Sequence, residues 1–203
     1  MVKGDRSVDN AAMANIGPRE AIMDAAMHLF GKQGYTGTSM RDISSAVGVL
    51  PGSLYAHIDS KEALLVDIVE DGINRFIAAV DPHSQGSIAA SEKLRAMIVA
   101  HVEVVADNPE RSLVVFHQWR FLGDSNIQSA ISRRRVYEKA FIDVINDGIK
   151  AGLFRANLNL RIAVLTILGA LNWAPEWLSP DGKLTPAEVG EIIAETLLIG
   201  VRS

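Results

Sequence analysis

The stretch TSMRDISSAVGVLPGSLYAHIDSK, residues 38–61, holds helix starts and a glycine turn in quick succession. Ser39 followed three places later by Asp42 has the form of a capped helix start. Met40, Ile43 and Val47 give that helix one apolar inner face. Gly48 then supplies a left-handed backbone turn, and Val49 plugs the corner. A second helix begins near Leu50, with Pro51 supplying a preset φ in its first turn. The next start, Asp59-Ser60-Lys61-Glu62, follows almost at once. Two short helices joined by a glycine turn, with a further helix behind them, form a helix-turn-helix.

That further helix lies upstream. After Pro18, apolar residues recur at helical spacing, Ile22, Ala25, Ala26, Leu29 and Phe30 forming one stripe before Gly34. Downstream the same punctuation recurs, with Ser60, Ser87, Asn108, Asp124 or Ser125, Asn157 and Thr185 as N-terminal caps. The pattern predicts about nine helices: 18–34, 39–47, 51–57, 60–80, 87–107, 109–121, 125–151, 158–173 and 185–201. No β-type alternation persists and no period repeats. The predicted fold is all-α. Residues 1–17 read as an arm, 18–59 as the helix-turn-helix unit and 60–203 as a helical bundle, with a loop at 174–184.

Composition narrows the chemistry. Hydrophobic residues make up 48% of the 203, which suits a buried subunit interface in addition to a core. The absence of cysteine excludes disulfides, thiolate metal sites and cysteine catalysis. His28, His57, His83, His101 and His117 are not paired at metal-ligand spacing, and no nucleophile–base motif is present. No metal or other cofactor is expected. The N-terminus lacks a signal-peptide stretch, and the apolar run Ile162–Leu171 is too short to span a bilayer. These features predict a cytoplasmic, non-enzymatic protein with no membrane partner.

In a helix-turn-helix the second helix enters the major groove N-terminus first. Small residues at its tip, Gly52 and Ser53, let the backbone approach the bases. Tyr55, His57 and Lys61 stand where they reach phosphates. The candidate DNA-contacting set is Ser39, Arg41, Leu50, Pro51, Gly52, Ser53, Tyr55, His57 and Lys61. Tyr55 has a plain alternative as a packing residue and His57 as a helix cap, while Arg133-Arg134-Arg135 reads as a solvated helix face, with an anion site as its alternative. Net charge is -4, and residues 19–61 carry four basic residues against four acidic ones. Affinity must therefore come from a few phosphate contacts, with Lys3 and Arg6 of the arm as helpers.

The segment GYTGTSMRDISSAVGVLPGSLYAHIDSKEALL resembles the DNA-binding signature of the tetracycline-repressor-like (TetR) family of bacterial regulators, over about Arg19–Leu65. Gly148-Ile-Lys-Ala-Gly-Leu-Phe-Arg155 resembles the family's turn between its long seventh helix and its eighth. The resemblance implies a homodimer on a double-stranded DNA operator, a divergent ligand-binding bundle, and repression released by a small molecule. Some relatives with a similar Trp-bearing segment respond to acyl or aromatic coenzyme A thioesters, which makes that class the candidate effector. Two positions depart from the pattern. Leu50 stands where the family often caps the recognition helix with Ser or Thr, and Ile58 replaces a common aromatic.

The last helix carries Glu188, Glu191 and Glu195 on one narrow face and is apolar elsewhere, so it is expected to be buried on more than one side. With helix 158–173 it is expected to form a four-helix dimer interface involving Leu165, Gly169, Ile193 and Leu197. Candidate ligand-binding residues are Phe116, His117, Arg120, Tyr137, Phe141, Asn172, Trp173 and Trp177. A helical small-molecule-binding module without DNA activity and an all-helical enzyme are the alternative readings.

Overall fold

The computed structural model describes residues 17–179 and 182–201. The arm (apart from Gly17), with Lys3 and Arg6, and loop residues Pro180 and Asp181 lie outside the described residues. Nine α-helices run through them: α1 Pro18–Gln33, α2 Met40–Val47, α3 Pro51–Leu54, α4 Lys61–Ser84, α5 Ala90–Asp107, α6 Pro109–Leu113, α7 Asp124–Lys150, α8 Leu160–Asn172 and α9 Pro186–Val201. No strand occurs among the described residues.

Helices α1 to α3 form the N-terminal unit. Ile22, Ala26 and Phe30 of α1, Ile43 of α2 and Leu54 of α3 are almost wholly buried, and Leu64 and Leu65 of α4 seal the core from beneath. Burying each such Leu, Ile or Phe side chain is worth roughly 1.5–3 kcal/mol. This shared core fixes how α3 is presented. Helix α4 then runs on into the bundle, where it packs on α5 and α7, while α9 lies along α5. At that crossing a Cβ on Gly190 would stand 2.8 Å from the Val99 Cα, so only glycine permits the approach.

The differences from the predicted boundaries have local causes. Helix α3 stops at Leu54 because the amides of Ala56 and His57 bond three residues back, to Ser53 and Leu54, tightening the chain into a turn. Helix α4 passes through Pro82 and ends at Ser84. Asp81, Pro82 and His83 are exposed there, as is Ala78, whose carbonyl proline cannot bond. Helix α5 starts at Ala90 after Gly86, whose φ of 87° turns the chain, and Ser87 caps nothing. Asn159 rather than Asn157 caps α8, accepting from the Ile162 amide. The predicted helix 109–121 divides into α6, a π-turn Val114–Gln118 and a 3-10 turn Trp119–Phe121. The caps at Ser60, Asn108 and Thr185 are formed as read.

Candidate functional site

The reading head is set by its caps. Ser39 and Asp42 form a reciprocal capping box: the Ser39 hydroxyl oxygen accepts from the Asp42 amide at 3.2 Å, and the Ser39 amide donates to the Asp42 carboxylate at 2.8 Å. The Ser39 hydroxyl and amide together hold the Asp42 carboxyl below its usual range. Gly48, at φ 79° and ψ 27°, lets α2 end and α3 begin at an angle. Leu50, the N-cap of α3, supplies no side-chain cap.

The consequence is an open tip. Leu50 is 77% exposed and Tyr55 59%, and Arg41, Pro51, Gly52, Ser53 and His57 are exposed as well. A Cβ added at Gly52 would meet nothing within 4 Å. Lys61 behaves differently. It is half-buried, its Nζ donates to the carbonyls of Tyr35 at 2.9 Å and Thr38 at 2.8 Å, and it stands 4.2 Å from the Tyr35 ring centroid. It ties the α1–α2 turn to the head of α4.

The bundle holds a cavity of about 180 Å³ between α4, the π-turn, α7 and α8. Ile73, Phe76, Val115, Phe116 and Leu168 give it apolar walls, and Arg134, Tyr137, Glu138 and Asn172 supply polar groups. Leu165 and Gly169, both exposed, also line it, so it reaches the open face of α8. Of the ligand-binding residues expected from sequence, Phe116, Tyr137 and Asn172 come together here. The others do not line it. Phe141 is fully buried behind Tyr137, with ring centroids 5.3 Å apart. His117 lies against Trp173 and 3.6 Å from the Glu176 carboxylate. Arg120, Trp173 and Trp177 are exposed.

Two residues absent from that set matter more. Arg134, the middle member of a triplet that reads as solvated, is half-buried and lines the cavity. Its guanidinium stands 5.0 Å from the Trp119 ring centroid and donates weakly to the Val115 carbonyl at 3.5 Å. Burial holds its pKa below the ordinary value, the nearby Glu138 charge opposing this. Behind the wall, fully buried His101 shares a 2.6 Å hydrogen bond between Nδ1 and the Tyr137 hydroxyl. Burial pushes the His101 pKa down to about 3 and the Tyr137 pKa up, so both groups are neutral at pH 7. No periodicity marks either residue; only the rotational setting of α5 and α7 in the bundle does.

An apolar face remains on the outside. Ile162, Leu165 and Gly169 of α8 and Ile192 and Ile199 of α9 are exposed, Leu165 by 51% and Ile199 by 69%. Ile193 and Leu197 instead turn half-buried against their own core. No helix among the described residues is long and apolar enough to cross a membrane.

Comparisons with known proteins agree with this geometry. Residues 22–68 match the family model described as "Bacterial regulatory proteins, tetR family", and residues 87–201 match "Tetracyclin repressor-like, C-terminal domain". The HTH-type transcriptional repressor KstR2 of Rhodococcus jostii is 28% identical over 196 residues, covering 92% of each chain. The structure of KstR2 of Mycobacterium tuberculosis superposes with a TM-score of 0.86 at 24% identity, covering 92% of this chain and 96% of that one. AibR, solved in complex with isovaleryl coenzyme A and operator DNA, gives a TM-score of 0.76 at 27% identity, covering 89% and 95%.

Proposed function

The chain belongs to the tetracycline-repressor-like family of bacterial regulators, and we propose that it is a homodimeric repressor whose α3 tips read a palindromic operator and whose bundle cavity takes the effector that releases it. Residues 18–59 form the reader and 60–203 the sensor, working on DNA in the cytoplasm. One observation carries this reading: the tip of α3, Leu50 to Ser53, held to the capped helix α2 by the Gly48 turn, stands open to solvent on a fully packed core. Such a tip fits the major groove.

Pro51, Gly52 and Ser53 are assigned to base edges. Arg41, Tyr55 and His57 are assigned to phosphates, where they set register without reading sequence, while Ser39, whose hydroxyl and amide both donate to Asp42, serves as the cap of α2. The dimer forms through the open faces of α8 and α9, with Leu165, Gly169, Ile192 and Ile199 in the seam. Gly169, where a Cβ would meet nothing within 4 Å of its own chain, allows close helix approach.

Helix α4 connects the two ends. It begins with Lys61 under the reader and carries Ile73 and Phe76 into the cavity wall. A Cβ on Gly72 would lie 2.2 Å from the Val115 side chain, so α4 and the π-turn cannot move independently here. An occupant that displaces this wall tilts α4 and changes the spacing of the two α3 helices. Release requires only that the effector prefer the wrongly spaced state. The AibR complex with isovaleryl coenzyme A favours an acyl thioester as effector class. Gel-shift with DNA upstream of the chain's own gene tests the reading. A complex containing two protomers is expected, and a protein that binds thioesters but no DNA contradicts it.

A further inference from the structure

The cavity contains a guanidinium without an ion-pair contact and an acceptor without a hydrogen-bond partner. The Arg134 guanidinium has one weak carbonyl contact and an aromatic face, and no carboxylate lies within ion-pair distance of it among the described residues. The Asn172 Oδ1, also on the cavity wall, is buried without a hydrogen-bond partner. A half-buried guanidinium left this way loses solvation for only a weak carbonyl contact, an aromatic face and the more distant Glu138 charge, so a ligand acceptor would complete it. Apart from Tyr137 and Glu138 the rest of the wall is apolar, and the space is small. A dry cavity of about 150 Å³ holds one benzene ring, so about 180 Å³ holds a body on the order of six to eight non-hydrogen atoms.

We propose that the effector group seated in this cavity is a compact acyl group, short and branched or a single aromatic ring, with its carbonyl oxygen held by Arg134. This rests on the effector-released repressor reading and deepens it by fixing the size of the group and its anchor. The planar fork of Arg134 donates to the acyl oxygen, whether of a free carboxylate or of a thioester. The Asn172 Oδ1 can accept only from an N–H or O–H, which the amide arm of a coenzyme A thioester carries and a free carboxylate does not. Ile73, Phe76, Val115 and Phe116 enclose the hydrocarbon end. A long chain or a fused-ring skeleton exceeds this volume and would have to run out past Leu165 and Gly169 onto the open face of α8. Arg135, the next residue, is exposed and takes no part.

The test is release of a fluorescent operator duplex, followed by anisotropy, with isovaleryl-CoA, benzoyl-CoA and palmitoyl-CoA, and with free isovalerate and benzoate. Release is expected with the two compact thioesters or with the two compact acids, either outcome supporting the assignment and naming the source of the carbonyl. Arg134→Met is expected to raise the concentration needed about tenfold or more, the effect of a lost charge-assisted hydrogen bond, with unliganded operator binding retained. Arg134→Lys is expected to fall between the two, and Phe116→Ala to shift preference toward longer chains. Release by palmitoyl-CoA alone overturns the size assignment while leaving effector-controlled repression standing. Full sensitivity in folded Arg134→Met overturns the anchor. Operator binding that none of the five compounds disturbs overturns the acyl effector itself.

Discussion

The Gln118 side-chain oxygen accepts the backbone N–H of Tyr35 at 3.0 Å. Tyr35 sits in the turn that precedes α2, where its ring stacks on Phe121 with centroids 5.9 Å apart. Gln118 ends the π-turn whose Val115 and Phe116 line the cavity. One hydrogen bond therefore joins the cavity wall to the reader.

Gln118→Ala removes that link without touching either site. Operator affinity of the unliganded protein is expected to change little. The factor by which an effector weakens that affinity should fall about fivefold, a loss of about 1 kcal/mol of coupling. Paired operator titrations, with and without saturating effector, measure it. An unchanged factor would route the coupling elsewhere.

Lys61 is worth more to the fold than to the DNA. Its ammonium is committed to the Tyr35 and Thr38 carbonyls. Lys61→Met should lower stability by about 2 kcal/mol in urea unfolding and leave the salt dependence of operator binding unchanged. A fall of about 0.9 in that log–log slope would reveal a phosphate contact after all.

Gly52 has no packing reason to be glycine, since a Cβ there meets nothing within 4 Å. Gly52→Ala should leave the unfolding free energy in urea within about 0.5 kcal/mol of wild type. It should change operator affinity and the preferred bases near the α3 tip. A substitution neutral for both fold and DNA would remove Gly52 from the interface.

His101 predicts a pH dependence with a definite sign. Its folded pKa, about 3, lies below the ordinary 6.5. Between those values the unfolded chain binds the extra proton, so stability is full above pH 6.5 and falls as pH drops toward 3. The slope from this group approaches about 1.4 kcal/mol per pH unit. Urea unfolding from pH 7 to pH 5 should show the loss, and His101→Gln should flatten it. A wild-type midpoint unchanged over that range contradicts a buried neutral His101.

How much of this was legible in the sequence varies by element. The helix-turn-helix was, because every junction carries its own chemistry: the Ser39–Asp42 box, left-handed Gly48 and Pro51 at the first turn. The nine-helix pattern was legible from apolar periodicity and the caps at Ser60, Asn108 and Thr185, while the starts at Ala90 and Asp124 carry no side-chain cap. The cavity was only half legible. Phe116, Tyr137 and Asn172 announce themselves as aromatic or amide groups in apolar helices, but Arg134 lies among three arginines. Arg133 bonds Asn74, Arg135 faces solvent and Arg134 turns inward. One residue's rotation about α7 separates these fates, and that rotation is set by α4 and α8, not by anything adjacent in the chain. The π-turn is hidden similarly, since its residues are ordinary helix formers.

The central claim, that two copies of α3 read one symmetric site, is tested most directly by selecting bound sequences from a random DNA pool with the purified protein. The account predicts enrichment of palindromes whose half-sites are centred about one helical turn apart, roughly 34–36 Å along the duplex. Enrichment of a single asymmetric half-site, or of no sequence at all, would contradict it.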